Sequence, residues 1–242
     1  MFAVVVLFLV ALAAGALGSL VGTGSSLVLL PVLVFVYGPR VAVPVMAVAA
    51  VLANVARVAA WRREIHWPAV FAYAVPGAPA AVLGAHTLLT IPQTVVDGVL
   101  GAFFLVMIPV RRFVAIRQWR VRLWQLAVAG AVVGFLTGLI LSTGPLSVPV
   151  FTGYGLGGGA FLGSEAASSL FLYAAKMATF GKFGALTGPV LIRGLAIGTA
   201  LMLGPFLTRT IVRRMQPHAY VLLIDLVLVV AAVGMFIAMG AR

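Results

Sequence analysis

Cysteine is absent from this chain, and acidic side chains number four in 242 residues. The first absence removes disulfide scaffolds, thiolate metal sites and thiol nucleophiles. The second leaves carboxylates too few and too scattered for an acid–base active site, and neither a His-Glu-x-x-His helix nor a nucleophile elbow is present. The three histidines, His66, His86 and His218, are too dispersed to form a metal site. A Walker-type Gly-Lys-Ser/Thr loop is missing too, so nothing in this chain is predicted to use ATP. Charged residues of both signs come to 8%, against about 25% in a soluble domain. A soluble fold could not cover its surface with so few.

Apolar residues take the place of charge, at 64% of the chain. A bilayer solvates apolar surface, so the composition predicts an all-α polytopic membrane protein. Fourteen Arg and two Lys give a formal charge of +12. They fall in short breaks between apolar runs and are not interleaved with aromatic stacking partners, which argues against nucleic acid. Cytoplasmic loops beside anionic lipid headgroups fit better, and they set the localisation as the cytoplasmic membrane. The first apolar stretch has small residues at 14–19 but no preceding Lys or Arg. It is therefore predicted to stay in the mature protein as a helix, not to be cleaved as a signal peptide.

A spanning helix needs about 20 apolar residues. Cutting the chain at charge, Pro and Gly clusters predicts about eight, over 2–21, 41–60, 67–89, 94–110, 123–142, 163–182, 187–207 and 219–240. Two apolar pieces, Ser25 to Tyr37 and Pro145 to Tyr154, are too short to cross alone and read as half-helices or re-entrant segments. The loop with Arg62 and Arg63 and the linker over 111–122 are expected on the cytoplasmic side. Arg209, Arg213 and Arg214 fall outside in an eight-span count, unless the 145–159 stretch adds a crossing. Trp61, Trp67, Trp119 and Trp124 stand at predicted span ends, as an aromatic belt requires.

The chain divides into two related four-helix halves, 1–110 and 123–242, joined by the basic linker. Gly18-Ser-Leu-Val-Gly22-Thr-Gly24 and Pro31 are echoed by Gly134-Phe-Leu-Thr-Gly138, Ser142-Thr143-Gly144 and Pro149, at offsets of 116 to 118 residues. Duplication of this kind places a transporter's site at the interface of the copies. Helix breaks survive in hydrocarbon only where they are buried in protein or line a wet cavity. The breaks at Gly22, Gly24, Ser25 and Ser26 and at Ser142, Thr143 and Gly144 therefore predict a site where helix N-termini face an anion. Close helix packing through small-xxx-small spacing explains the same glycines, and both readings can hold at once.

Residues ionisable within spans are the next candidates, since burial of charge there costs a few kcal/mol. Arg57 shares a helix face with Asn54, and Lys176 falls near the Asn54 level of the other half. Two cations from equivalent helices suit an anion, although snorkelling to the interface accounts for either. Ser168 lies on the same predicted helix as Lys176. Asp225 in the last span is a candidate for proton coupling or for an ion pair with Arg193, and Glu165 lies near the end of its predicted span.

Several of these pieces together resemble the sulfite exporter TauE/SafE family: Gly18-x3-Gly22-x-Gly24-x6-Pro31, Ala42 to Asn54 on the next helix, and Ile65-His66-Trp67 opening the third. In the second half they are Gly134-x3-Gly138 with Pro149, then Glu165-Ala-Ala-Ser168-Ser169-Leu170. The chain departs from that pattern at Gly24-Ser25-Ser26, where a glycine run is usual, at Pro145 after Gly144, and at Val45-Met46 in place of Thr-Ser. The resemblance implies transport of a small, often sulfur-containing anion such as sulfite, thiosulfate or an organosulfonate. Secondary transport by alternating access, with no cofactor, is the expectation. A passive channel and a membrane-embedded enzyme are the alternatives. Its partners are then the anion and membrane lipid, with homo-oligomerisation left open.

Overall fold

The fold comes from a computed structural model that describes residues 10–16, 24–91, 95, 120–140 and 144–214. Every regular element among them is helical: α1 (Gly24–Tyr37), α2 (Pro39–Trp61), α3 (Trp67–Thr90), α4 (Leu123–Ile140), α5 (Gly144–Gly153), α6 (Gly158–Lys182) and α7 (Gly188–Arg214), with residues 10–16 helical as well. Local sequence sets the ends. Gly38 at φ 74° followed by Pro39 stops α1 and starts α2. Helices α5 and α6 both end in a Schellman arrangement at a left-handed glycine, Gly155 and Gly184. Leu156 N–H donates to the Phe151 carbonyl at 3.1 Å, and Ala185 N–H to the Phe180 carbonyl at 2.8 Å.

Among the described residues, three stretches are long and apolar enough to cross a membrane: Val41–Trp61, Trp67–Thr90 and Gly188–Phe206. The apolar part of α4, Leu123–Leu139, is shorter. Helix α6 is 25 residues long but carries Ser164, Glu165, Ser168 and Lys176, all buried against its neighbours. It begins at Gly158, five residues before the predicted start at 163, because the uncharged Gly157 to Leu162 stretch continues the helix. At 14 and 10 residues, about 21 and 15 Å long, α1 and α5 fall short of the ~30 Å hydrocarbon core. Large apolar side chains point outward on α3 (Phe71, Val75, Leu83), α4 (Val128, Val132, Phe135) and α7 (Ile192, Leu195, Leu203), a surface that suits lipid. Trp67 and Trp124 are exposed at helix ends, whereas Trp61 is 3% exposed and packed against the Gly163 face of α6, so it is not a belt residue.

Helices α3 and α4 run side by side in the same direction and meet backbone to backbone. A Cβ at Gly134 would lie 2.7 Å from the Gly77 Cα, one at Gly138 2.7 Å from the Ala85 N, and one at Gly84 2.9 Å from the Leu139 N. The small-residue spacing of Gly134 and Gly138 is thus a packing seam. Gly18 and Gly22 lie outside the described residues. A second close approach joins α2 and α7, where a Cβ at Gly194 would meet Val48 and one at Gly198 would meet Ala49 and Leu52.

These contacts fix the directions of the helices. Val121 N–H donates to the Gly153 carbonyl at 2.9 Å, which brings the end of α5 beside the start of α4. His66, in the α2–α3 loop, sets its ring edge-on to Tyr154 at 5.6 Å and donates its N–H to Ser164 Oγ at 2.8 Å. The loop holding Arg62 and Arg63 and the stretch holding Arg120 and Arg122 therefore share one end of the bundle. The rising register of Gly194 on Val48 and Gly198 on Leu52 makes α7 parallel to α2. The last turns of α7, with Arg209, Arg213 and Arg214, point to that same basic end. Helix α5 returns to the end of the bundle from which α4 sets out.

Gly134→Ala is expected to destabilise the fold by about 1–3 kcal/mol through backbone overlap, read as a lower unfolding temperature in detergent. Gly181→Ala, whose added Cβ would meet only Leu186 Cδ1 at 3.8 Å, should leave that temperature unchanged.

Candidate functional site

One cavity lies where six of the helices converge. Ser25 and Ser26 reach it from the first turn of α1, and Gly144 and Ser147 from the first turn of α5. Asn54 and Arg57 come from α2, Tyr73 from α3, Thr137 from α4, and Glu165, Ser169 and Tyr173 from α6. The walls enclose a volume of about 30 Å³, room for one or two water molecules. The first N–H groups of a helix have no partner within it, and the helix dipole is positive there. Two such ends, α1 and α5, open on one polar space.

Its centre is an ion pair. Arg57 Nη1 donates to Glu165 Oε2 at 2.9 Å, and Nη2 donates to Asn54 Oδ1, whose own Nδ2 donates to the Ala50 carbonyl at 2.8 Å. Glu165 Oε1 accepts from Ser169 Oγ at 2.8 Å. Ser147 Oγ lies 3.4 Å from Oε1 and 2.9 Å from the Gly144 carbonyl, so it divides one proton between them. Arg57 is 9% exposed and Glu165 4%. Ionic groups taken so far out of water survive only when paired and hydrogen-bonded. Here one carboxylate answers one guanidinium, so the pair adds no net charge to the cavity.

Lys176 stands apart from this group. It is fully buried, its Nζ donates to the Thr137 carbonyl at 2.8 Å, and that nitrogen lies 5.3 Å from the centre of the Phe180 ring. Thr137 is in the last turn of α4, so the Lys176 nitrogen sits where that helix presents carbonyls without partners inside the helix and its negative dipole. Ser168 Oγ donates to the Ser164 carbonyl of its own helix at 2.8 Å and does not line the cavity.

The predicted site residues therefore divide. The structure brings Ser25, Ser26, Asn54, Arg57 and Gly144 to one cavity; Lys176 and Ser168 lie beside it, behind its wall. Gly22, Ser142, Thr143 and Asp225 lie outside the described residues, and Gly24 is the first residue of α1. Glu165, Ser147, Ser169, Tyr73 and Tyr173 were not anticipated as cavity residues. Glu165 carried the signal needed, as an acid inside an apolar stretch, but the late helix start assumed for α6 put it at a span end. Arg193 stacks its guanidinium over the Tyr37 ring at 4.5 Å. No group of three or more His, Asp or Glu side chains that would hold a metal occurs among the described residues.

The family model for the sulfite exporter TauE/SafE matches residues 7–235, nearly the whole chain. The chain belongs to the sulfite exporter TauE/SafE family. No curated protein and no solved structure matches it significantly. TauE/SafE proteins are membrane transporters of sulfite and related sulfur anions, not enzymes.

Arg57→Met is expected to destabilise the protein by about 3–5 kcal/mol, because it strands the Glu165 carboxylate in a low-dielectric site. Arg57→Met combined with Glu165→Met should regain most of that loss, a coupling that thermal unfolding of the two single variants and the double variant in detergent would measure.

Proposed function

We propose that this TauE/SafE protein is a secondary transporter that carries a small sulfur oxyanion or organosulfonate across the cytoplasmic membrane by alternating access. The observation that carries the reading is the meeting of two helix N-termini, α1 and α5, with Arg57 and Asn54 in one buried polar cavity. An oxyanion has several acceptor oxygens and no donors. Main-chain N–H groups, serine hydroxyls and a guanidinium match that chemistry. Ser25, Ser26, Asn54, Arg57, Gly144 and Ser147 are the proposed contacts, with Gly22, Gly24, Ser142 and Thr143 completing the two breaks. Lys176 and Ser168 support the wall from behind, and Asp225 is a further candidate for ion coupling.

The cavity as it stands, about 30 Å³, is too small for such an anion. The walls must part to admit it and close again, which is the requirement of alternating access. The pairing of helices supports a moving unit for this. Helix α3 packs on α4 and residue Gly15 on Leu201 of α7; α2 packs on α7 and α3 on α6; α2 and α6 pack on each other. Each contact between the halves has a counterpart with the roles exchanged. Helices α2 and α6, in equivalent places, run in opposite directions, so the two copies are read as inverted repeats around the cavity.

In proteoliposomes, radiolabelled sulfite or thiosulfate should show saturable counterflow. Uptake that rises linearly with concentration and is not accelerated by unlabelled anion on the far side would favour a passive channel. Asn54→Ala is expected to lower kcat/KM for the anion about tenfold or more, the loss of one hydrogen bond in a charged network.

A further inference from the structure

The guanidinium of Arg57 is already engaged. Its Nη1 is held by Glu165 and its Nη2 by Asn54, and all three residues line the cavity. Among the described residues, Glu165 is the one acidic side chain that lines the cavity. Among the described residues, the titratable groups facing it are Arg57 from α2, Tyr73 from α3 and Tyr173 from its own helix; the described lining of α1, α4 and α5 is Ser25, Ser26, Thr137, Gly144 and Ser147, none of which titrates in the ordinary range. Lys176 is turned to the Thr137 carbonyl, behind the wall.

An anion entering this space meets a carboxylate at close range. At a separation of about 5 Å and an effective dielectric near 20, the repulsion between two unit charges weakens binding on the order of 10²-fold. The same anion needs the guanidinium that the carboxylate occupies. Both obstacles vanish if Glu165 takes up one proton. Its surroundings accept either state, because the hydroxyls of Ser169 and Ser147 can donate to a carboxylate and accept from a carboxylic acid.

We infer that Glu165 is the proton-coupling group of this transporter: the carboxylate and the transported anion are alternative partners of Arg57, and Glu165 gives up the guanidinium by accepting a proton from the side to which the cavity opens. The step forms one O–H bond and breaks the Arg57–Glu165 ion pair; no electrons are transferred. Proton and anion then cross together. A monoanion moves without net charge, and a dianion carries one negative charge. By linkage, protonation tightens anion binding and the anion tightens proton binding by the same factor. The inference rests on the transport reading proposed above, and its test separates the two.

The probes are sulfite, thiosulfate and isethionate, assayed first by counterflow into proteoliposomes of the wild-type chain. Absence of saturable counterflow for all three would defeat the transport reading and this inference with it. With counterflow present, proton uptake on anion binding is measured in weakly buffered detergent solution. Thiosulfate and isethionate bring no proton of their own between pH 5.5 and 8, roughly, and sulfite is assayed at a pH where it is the dianion. One proton taken up per anion bound is the expected result, and none would overturn the role of Glu165 while leaving transport intact. Glu165→Gln, a permanently neutral side chain of the same shape, supplies the second measurement. Its anion affinity should no longer vary with pH, and its accumulation driven by a pH gradient should fall at least tenfold relative to its own counterflow. An unchanged ratio of gradient-driven accumulation to counterflow would overturn the assignment. The wild-type proton count decides the matter even if this variant does not fold.

Discussion

A guanidinium and a carboxylate held together out of water dictate much of what surrounds them. Neither Arg57 nor Glu165 could remain charged in a bilayer alone, and each is tolerable only while the other is within hydrogen-bonding reach. That requirement clamps α2 to α6, recruits Asn54 to the second guanidinium nitrogen, and draws Ser169 and Ser147 to the carboxylate. It also explains why α6 holds Ser164, Glu165, Ser168 and Lys176 buried against its neighbours. A helix carrying Glu165 and Lys176 cannot face lipid, so α2, α3, α4 and α5 wrap it.

The wrapping depends on glycine. Association of helices in lipid gains little from the hydrophobic effect and relies on close packing instead. Along Gly77, Gly84, Gly130, Gly134 and Gly138 the α3 and α4 backbones approach to distances that a single methyl group would prevent. This seam holds α4 in place, and with it the Thr137 carbonyl and the break that leads into α5. The Gly194 and Gly198 contacts do the same for α7 on α2. Glycine thus serves two purposes in this chain. In mid-helix it lets helices touch, and at the breaks it precedes the serines that meet the cavity.

How much of this could be read beforehand follows from what each feature depends on. Apolar length and the punctuation by Gly, Pro and Arg are local properties, so α2 and α3 matched their predicted 41–60 and 67–89 spans within two residues, and the short pieces after the breaks were found at 24–37 and 144–153. The convergence of Ser25, Ser26, Asn54, Arg57 and Gly144 was legible because breaks and charges are expensive in lipid and must be sheltered together. The partner of Arg57 was not legible. It is 108 residues away, and no local pattern says which buried charge answers which. The course of α5 back to the basic end was equally non-local, since it depends on a single bond between Val121 and Gly153 and on a ring contact between His66 and Tyr154. Trp61 misled for the same reason: a tryptophan at a helix end looks like a headgroup anchor until a glycine-faced neighbour is placed over it.

Arg57 and Lys176 show why position in sequence is a poor guide to the use of a buried cation. Both are basic side chains inside helices, and both were candidates for the anion. Lys176 is bound to a main-chain carbonyl in the last turn of α4. That acceptor cannot be neutralised by a proton in the ordinary pH range, and it cannot move unless the helix end unwinds, so the bond is a fixed brace. Arg57 is bound to a carboxylate, which a single proton neutralises, and to an amide side chain that can rotate away. On the reading proposed above, the basic group with the exchangeable partner is the one that can serve a substrate and then be restored. The one with the fixed partner braces the wall beside it.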